Sequence, residues 1–262
     1  MSEDILKLSV SKTKTYIDCK KKYNFVYVQK LPRKEYHYHT FGKFVHKVLE
    51  DFHMAYIKGS AEPFNKEMTL AFKNALTEYK DKITPEVKLE IKEMLAKYLD
   101  IMNEGKKNNV LPEVLACEKE FKVIIKEKTL LNGFIDRVQL DTDGILHVCD
   151  YKTTKNKKYL KNDTFQLLTY AYVLLSEDPT LEKVRGSYIL LRHDYEYVTF
   201  EFNRDEILKV EDKYLEYTDK ITEETEYKPN PTVLCNYCEY LPLCDEAKAK
   251  YQKVVSNGEI NW

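Results

Sequence analysis

Two aspartates and a lysine, Asp136, Asp150 and Lys152, stand on either side of the turn sequence Asp141-Thr142-Asp143-Gly144, at spacings that would gather three ionisable groups on one face of a β-hairpin. Apolar residues flank the turn on both sides (Phe134, Val138 and Leu140, then Ile145 and Val148), as strands do. If the loop is the three-residue type closed by a left-handed glycine, Asp141 opposes Ile145, and counting back sets Asp136 opposite Asp150. Opposed residues of an antiparallel pair have β-carbons about 5 Å apart and like charges there repel, so two facing carboxylates call for a cation. Two positions beyond Asp150 the pleat returns to the same face, which brings Lys152 beside both acids. Oxygen ligands of this kind suit Mg²⁺ or Mn²⁺. The matching chemistry is phosphodiester hydrolysis: the ion activates a water and polarises the phosphoryl group, and Lys152 stabilises the charge of the transition state.

The tail carries a second chemical signal, PNPTVLCNYCEYLPLC, which spaces Cys235, Cys238 and Cys244 as Cys-x₂-Cys-x₅-Cys. So dense a run of thiols points to a thiolate-ligated metal centre. A fourth ligand is needed, and Cys19 is the candidate. Cys117 and Cys149 fall in strands, where small buried cysteines are ordinary, and Cys149 should face away from Asp150.

These groups need elements to hold them. Between Thr40 and Met54 the segment TFGKFVHKVLEDFHM is an amphipathic helix: Phe41, Phe44, Val45, Val48, Leu49 and Phe52 form the apolar face, and His46 projects from the adjoining one with Glu50 and His53. Two more helices follow from Asn65 to about Asn103, separated where Thr84 caps and Pro85 opens a helix; they read as a helical insertion, 60–112, that frames a substrate channel. After Pro112, VLACEKEFKVIIKEKTLL alternates as a strand leading into the hairpin, and its Glu118 and Glu120 could approach the metal. Beyond the hairpin, Asp163 or Thr164 caps a helix on which Gln166 and Tyr170, four apart, share a face. An edge-like hairpin, SYILLRHDYEYVTFEF, and a charged helix from Arg204 to about Thr222 complete the pattern. Near the start, Ser9 or Ser11 caps a short helical pattern in which Tyr16 and Cys19 stand three apart. Strands with crossing helices indicate an α/β or α+β fold round a mixed sheet.

Composition sets the outer bounds. The 262 residues, 43% of them hydrophobic, suffice for one large domain, taken here as 1–262 with the insertion at 60–112 and a cysteine-rich segment at 228–247. No apolar run approaches the roughly 20 residues of a membrane span, so no membrane partner is expected. The opening MSEDILKLSVSK lacks the apolar stretch of a signal peptide, and a cytoplasmic location is expected. The formal charge of −1 means that nucleic acid would have to meet local patches, such as Lys12, Lys14 and Lys20 to Lys22, or Lys152, Lys155, Lys157, Lys158 and Lys161.

Taken in order, Ser9 to Cys19, Gly42-Lys43-Phe44-Val45-His46, Gly133-Phe134-Ile135-Asp136-Arg137, Asp150-Tyr151-Lys152-Thr153, Gln166-x₃-Tyr170 and the cysteine tail resemble the RecB-type branch of the PD-(D/E)XK nuclease superfamily, over nearly the whole chain. The resemblance implies a restriction-endonuclease-like mixed sheet flanked by helices. It implies that His46, Asp136, Asp150 and the backbone carbonyl of Tyr151 bind Mg²⁺ or Mn²⁺, that Lys152 is the catalytic lysine, and that Gln166 and Tyr170 orient the site and the DNA strand. It also implies that Cys19, Cys235, Cys238 and Cys244 hold a [4Fe–4S] cluster joining the C-terminal segment to the N-terminal helix. Zinc is the alternative occupant, although the chain has one Cys-x₂-Cys knuckle where zinc sites favour two. No Gly-x₄-Gly-Lys-Ser/Thr motif is present, so unwinding would come from a helicase partner or be unnecessary. The expected activity is a metal-dependent exonuclease on single-stranded or end-containing DNA in recombination, repair or phage replication. The alternatives are a CRISPR-adaptation nuclease that trims spacer precursors beside an integrase, and a nuclease-like DNA-binding subunit without catalysis.

Overall fold

In a computed structural model that describes residues 5–34, 37–80 and 82–251, the hairpin forms in the register its turn dictates. Asp141 N–H donates to the Ile145 carbonyl at 3.0 Å, Gly144 sits at φ 78°, and Arg137 pairs with Cys149. Continuing that ladder by one step sets Asp136 against Asp150. Gly144 takes a left-handed conformation that a side chain would strain.

In chain order the helices are α1 (Val10–Asp18), α2 (Lys20–Tyr23), α3 (His37–Ile57), α4 (Phe64–Glu78), α5 (Pro85–Asn108), α6 (Phe165–Glu177), α7 (Arg204–Thr222) and α8 (Asp245–Tyr251). The strands are β1 (Leu6–Leu8), β2 (Glu113–Ile125), β3 (Thr129–Leu140), β4 (Leu146–Lys152), β5 (Lys183–Leu190) and β6 (Glu196–Asn203). They make a mixed six-stranded sheet in the order β1-β3-β4-β5-β6, with β2 also paired to β3. The β1–β3 and β4–β5 pairs are parallel, and β3–β4 and β5–β6 antiparallel. A parallel neighbour needs a crossover, and α6 supplies the one from β4 to β5.

The chain divides into two compact units. One comprises Tyr36–Phe121 and Gly133–Val210; the other comprises Met1–Glu35, Lys122–Asn132 and Glu211–Trp262. In the first unit, Phe44, Val45, Val48, Leu49 and Phe52 of α3 are fully buried against α4, α5, Cys149, Tyr151 and Ile189. Each such side chain contributes roughly 1.5–3 kcal/mol of gross hydrophobic stabilisation, which fixes the rotation of α3 and with it the direction of His46. Thr84 caps α5 through its side chain, accepting from Val87 N–H, and Pro85 takes the first helical position. On the sheet, a β-carbon at Gly186 would stand 3.0 Å from Leu167 Cβ, so the glycine lets α6 lie close to β5.

The second unit holds α1, whose N-cap Ser9 accepts from Lys12 N–H at 3.2 Å, and a π-helical turn, Asn24–Val28, that the sequence pattern does not signal. It also holds the turn that precedes the hairpin. What alternates as one strand is two, because Lys126 and Glu127 adopt left-handed conformations (φ 43° and 57°) and turn β2 back into β3.

Candidate metal-dependent active site

His46, Glu118 and Asp136 each direct one ligand atom to a common point, all three within 4.8 Å of one another; among the described residues no other histidine, cysteine and carboxylate set does so. Each arrives by a different route. His46 comes from α3, Asp136 from β3 opposite β4, and Glu118 from β2, where its own backbone turns left-handed at φ 44°. A non-glycine residue in that region interrupts the pleat and redirects its side chain, and such strain collects at functional sites.

The imidazole has assignable roles. Its Nε2 lies 3.1 Å from the carbonyl of Tyr151, which can only accept, so Nε2 carries the proton. Nδ1 then presents a lone pair towards Asp136 Oδ2 at 3.5 Å and Glu118 Oε1 at 4.0 Å. Burial holds the ring below its ordinary pKa, in the neutral form a metal ligand needs. Asp136 is tied in place by the Tyr151 N–H, which donates to Oδ2 at 2.7 Å. Its carboxyl is pushed well above the usual range by burial and by the neighbouring Asp150. Glu118 is raised to about 7, first by burial and then by Asp136. Acids that raise one another in a half-buried pocket mark a place where a divalent cation is favoured.

Asp150 stands beside this set and faces Lys152. One of its oxygens accepts from Gln166 Nε2 at 2.6 Å; the other lies 2.5 Å from Lys152 Nζ, buried but outside hydrogen-bond alignment. Lys152 donates to Gln166 Oε1 at 2.9 Å, and Gln166 Nε2 donates again to the Tyr170 hydroxyl at 2.8 Å. One amide therefore fixes both the acid and the lysine, and Tyr170, buried on the same face of α6, fixes the amide. The buried Asp150 oxygen without an aligned donor and the three converging ligand atoms fit a divalent ion. When bound, the ion supplies Lewis-acid polarisation and a nucleophile from water.

All of the residues expected around the metal, His46, Asp136, Asp150, Tyr151, Lys152, Gln166 and Tyr170, fall in the larger unit and are linked by these contacts. Glu118 is the addition. Its sequence signal was only a carboxylate on a strand, and the left-handed backbone that aims it leaves no mark in residue type. The cysteines lie in the other unit: Cys19, Cys235, Cys238 and Cys244 line one cleft, all with free thiols. Burial raises the thiols of Cys238 and Cys244, with smaller contributions from neighbouring cysteines. Among the described residues no three of these sulfurs lie within 4.8 Å of one another.

A further chain, Asp141 Oδ2 to His147 Nδ1 (2.9 Å) and His147 Nε2 to Ser187 Oγ (2.7 Å), has the order of a catalytic triad. Ser187 is wholly buried and bonded onward to Thr199, so the chain ties the turn after β3 to β4, β5 and β6 and offers no nucleophile.

Comparison with known proteins bears on the fold and the family. The solved structure of a Eubacterium rectale protein named "Putative exonuclease" superposes with a TM-score of 0.52 over 93% of this chain and 88% of that one, at 10% identity, which shows a shared fold. SSO0001 is 18% identical over 87% of this chain and 95% of its own, but its TM-score of 0.35 carries no argument. No curated protein matches the chain. The pattern of the PD-(D/E)XK nuclease superfamily matches residues 7–245, a span that takes in the converging acids and the lysine, and the chain belongs to that superfamily.

Proposed function

We propose that this nuclease is a Mg²⁺- or Mn²⁺-dependent deoxyribonuclease that removes nucleotides from the ends of single-stranded DNA. The observation that carries the reading is the convergence of His46, Glu118 and Asp136 next to the Asp150–Lys152 pair. His46 through Nδ1 and the acids through their carboxylate oxygens would hold the ion. Lys152, steered by Gln166, faces the reacting phosphate and offsets the charge that builds on it. Gln166 and Tyr170 hold Asp150 and Lys152 in a fixed relation through their chain of hydrogen bonds. Beyond Lys152, the exposed Lys155, Lys158 and Lys161 offer a strand's phosphates a basic path away from the site.

The four cysteines hold a [4Fe–4S] cluster in this reading. What supports one shared group is that all four thiols line a single cleft, and the single Cys-x₂-Cys knuckle, where zinc sites favour two, supports the cluster over zinc. A role in recombination, repair or phage replication follows from end trimming, and spacer trimming beside a CRISPR integrase is the narrower form of the same activity.

End dependence is the test. With Mn²⁺, end-labelled linear single-stranded DNA should be shortened stepwise to mononucleotides or short products while closed single-stranded circles survive. Circles cut as fast as linear strands would make the enzyme an endonuclease.

A further inference from the structure

Arg137, next to Asp136 on β3, is a buried cation to which no carboxylate among the described residues is bonded. It is 2% exposed, and its Nη atoms donate to three phenols: Tyr98 at 3.0 Å, Tyr151 at 3.1 Å and Tyr197 at 3.0 Å. Its Nε is buried without a partner among the described residues. His53 Nε2 lies 2.6 Å from the Tyr98 hydroxyl, and burial together with Arg137 holds this histidine neutral. The hydrogen-bond partners of this guanidinium, which cannot shed its charge, are thus all neutral among the described residues, and Asp136, on the other face of the strand, is a carboxyl within its electrostatic reach. A charge in that position is strongly destabilising unless an anion meets it.

A cavity of about 350 Å³ opens onto this cluster. Arg137, Tyr98, His53 and Tyr197 form its polar end, and Met102, Leu111 and Pro112 are among its apolar walls. The carboxylate among its lining residues, Glu104, is exposed at the surface. Tyr197 accepts from Arg137, so its own O–H proton is polarised, and no acceptor for it occurs among the described residues. Apolar walls with a few convergent polar groups at one end, in a volume of this size, describe a small-molecule site.

We propose that this cavity binds a mononucleotide, its phosphate accepting from the Tyr197 hydroxyl in front of Arg137 and its base and sugar against the Met102 and Leu111 walls. The choice of a nucleotide rests on the nuclease reading, since that reaction releases one, while the need for an organic anion rests on the cavity alone. The site is separate from the metal centre, because Arg137 and Asp136 are successive residues of a strand and project to opposite faces. It adjoins that centre through Tyr151, whose phenol accepts from Arg137 and whose backbone holds both His46 and Asp136.

The test is calorimetric titration of the full chain with dTMP, deoxythymidine and inorganic phosphate in excess chelator, so that no catalysis or metal-borne binding intervenes. Saturable binding of dTMP is expected, at least tenfold tighter than either fragment. Tyr197→Phe, which removes only the hydroxyl, and Ile101→Trp, which fills the mouth from an exposed position, should each weaken it tenfold or more while Mn²⁺-dependent DNA cleavage is kept. No saturable binding of dTMP, phosphate binding as tightly as dTMP, or undiminished affinity in both variants would each overturn the proposal. Binding in a chain that shows no nuclease activity with Mn²⁺ would leave the pocket standing and sink the nuclease reading instead.

Discussion

Glu118 shows how much one residue can depend on its backbone. Its carboxyl, raised to about 7 by burial and by Asp136, must ionise to serve a metal, so Mn²⁺ affinity should climb as pH rises through 7. Without metal the linkage runs the other way. An acid whose folded pKa exceeds its unfolded one adds stability that is fully present below the unfolded value, near 4.5, and is lost as pH rises through about 7. Metal-free protein should therefore lose roughly 1–2 kcal/mol between pH 5 and 8 from this group, discounted for its partial exposure. Glu118→Gln, a mimic of the protonated acid, should flatten that loss in thermal melts and bind Mn²⁺ at least tenfold more weakly. A melting profile unchanged by the substitution would show that Glu118 carries no shifted proton. Asp136, Asp150 and Lys152 were legible in the sequence because the strand period and the glycine-closed turn leave one register, and a register places side chains. Glu118 was only a possible neighbour, since φ 44° at a glutamate follows no pattern of residue types.

The elements most easily read were those whose packing matches their periodicity. The six apolar positions of α3, the Thr84-Pro85 start of α5 and the Asp141–Gly144 turn all appear as expected. The break between β2 and β3 was not legible, because its left-handed positions are Lys126 and Glu127 and not the glycine or asparagine that announce such turns. The seating of α6 on the sheet was hidden too, since it depends on a missing side chain at Gly186. Gly186→Ala would force its β-carbon against Leu167 Cβ at 3.0 Å, an atom with no rotamer to yield. Leu167 follows Gln166, so moving α6 off β5 should loosen the hold of Gln166 on Asp150 and Lys152. We expect about 1–3 kcal/mol of destabilisation and at least a tenfold fall in kcat, with substrate affinity less changed. Wild-type stability and turnover in that variant would mean that the close seating of α6 has no part in the chemistry.

For the molecule as a whole, family membership was readable from the order of short motifs, while the occupant of the cysteine cleft rests on chemistry. Cys19 lies near one end of the chain and Cys235, Cys238 and Cys244 near the other, so a cluster bound by all four closes a ring over most of the sequence. A ring of that length restricts the unfolded chain by about 5 kcal/mol, comparable with the stability of an ordinary domain. Anaerobically prepared protein should be brown and carry close to four irons, and Cys19→Ser should lose iron and solubility together. Stoichiometric zinc without iron would replace the cluster by a structural zinc site.

The central claim is that the acids and the lysine gathered by the hairpin perform metal-dependent hydrolysis of DNA, and the most direct measurement is cleavage of single-stranded DNA by wild type and Asp136→Asn, each with Mn²⁺ and with chelator. The wild type should cleave only with the metal, and the variant, folded normally, should be slower by roughly 10²–10³ or more. Equal cleavage by the two proteins, or wild-type cleavage that persists in chelator, would contradict the account.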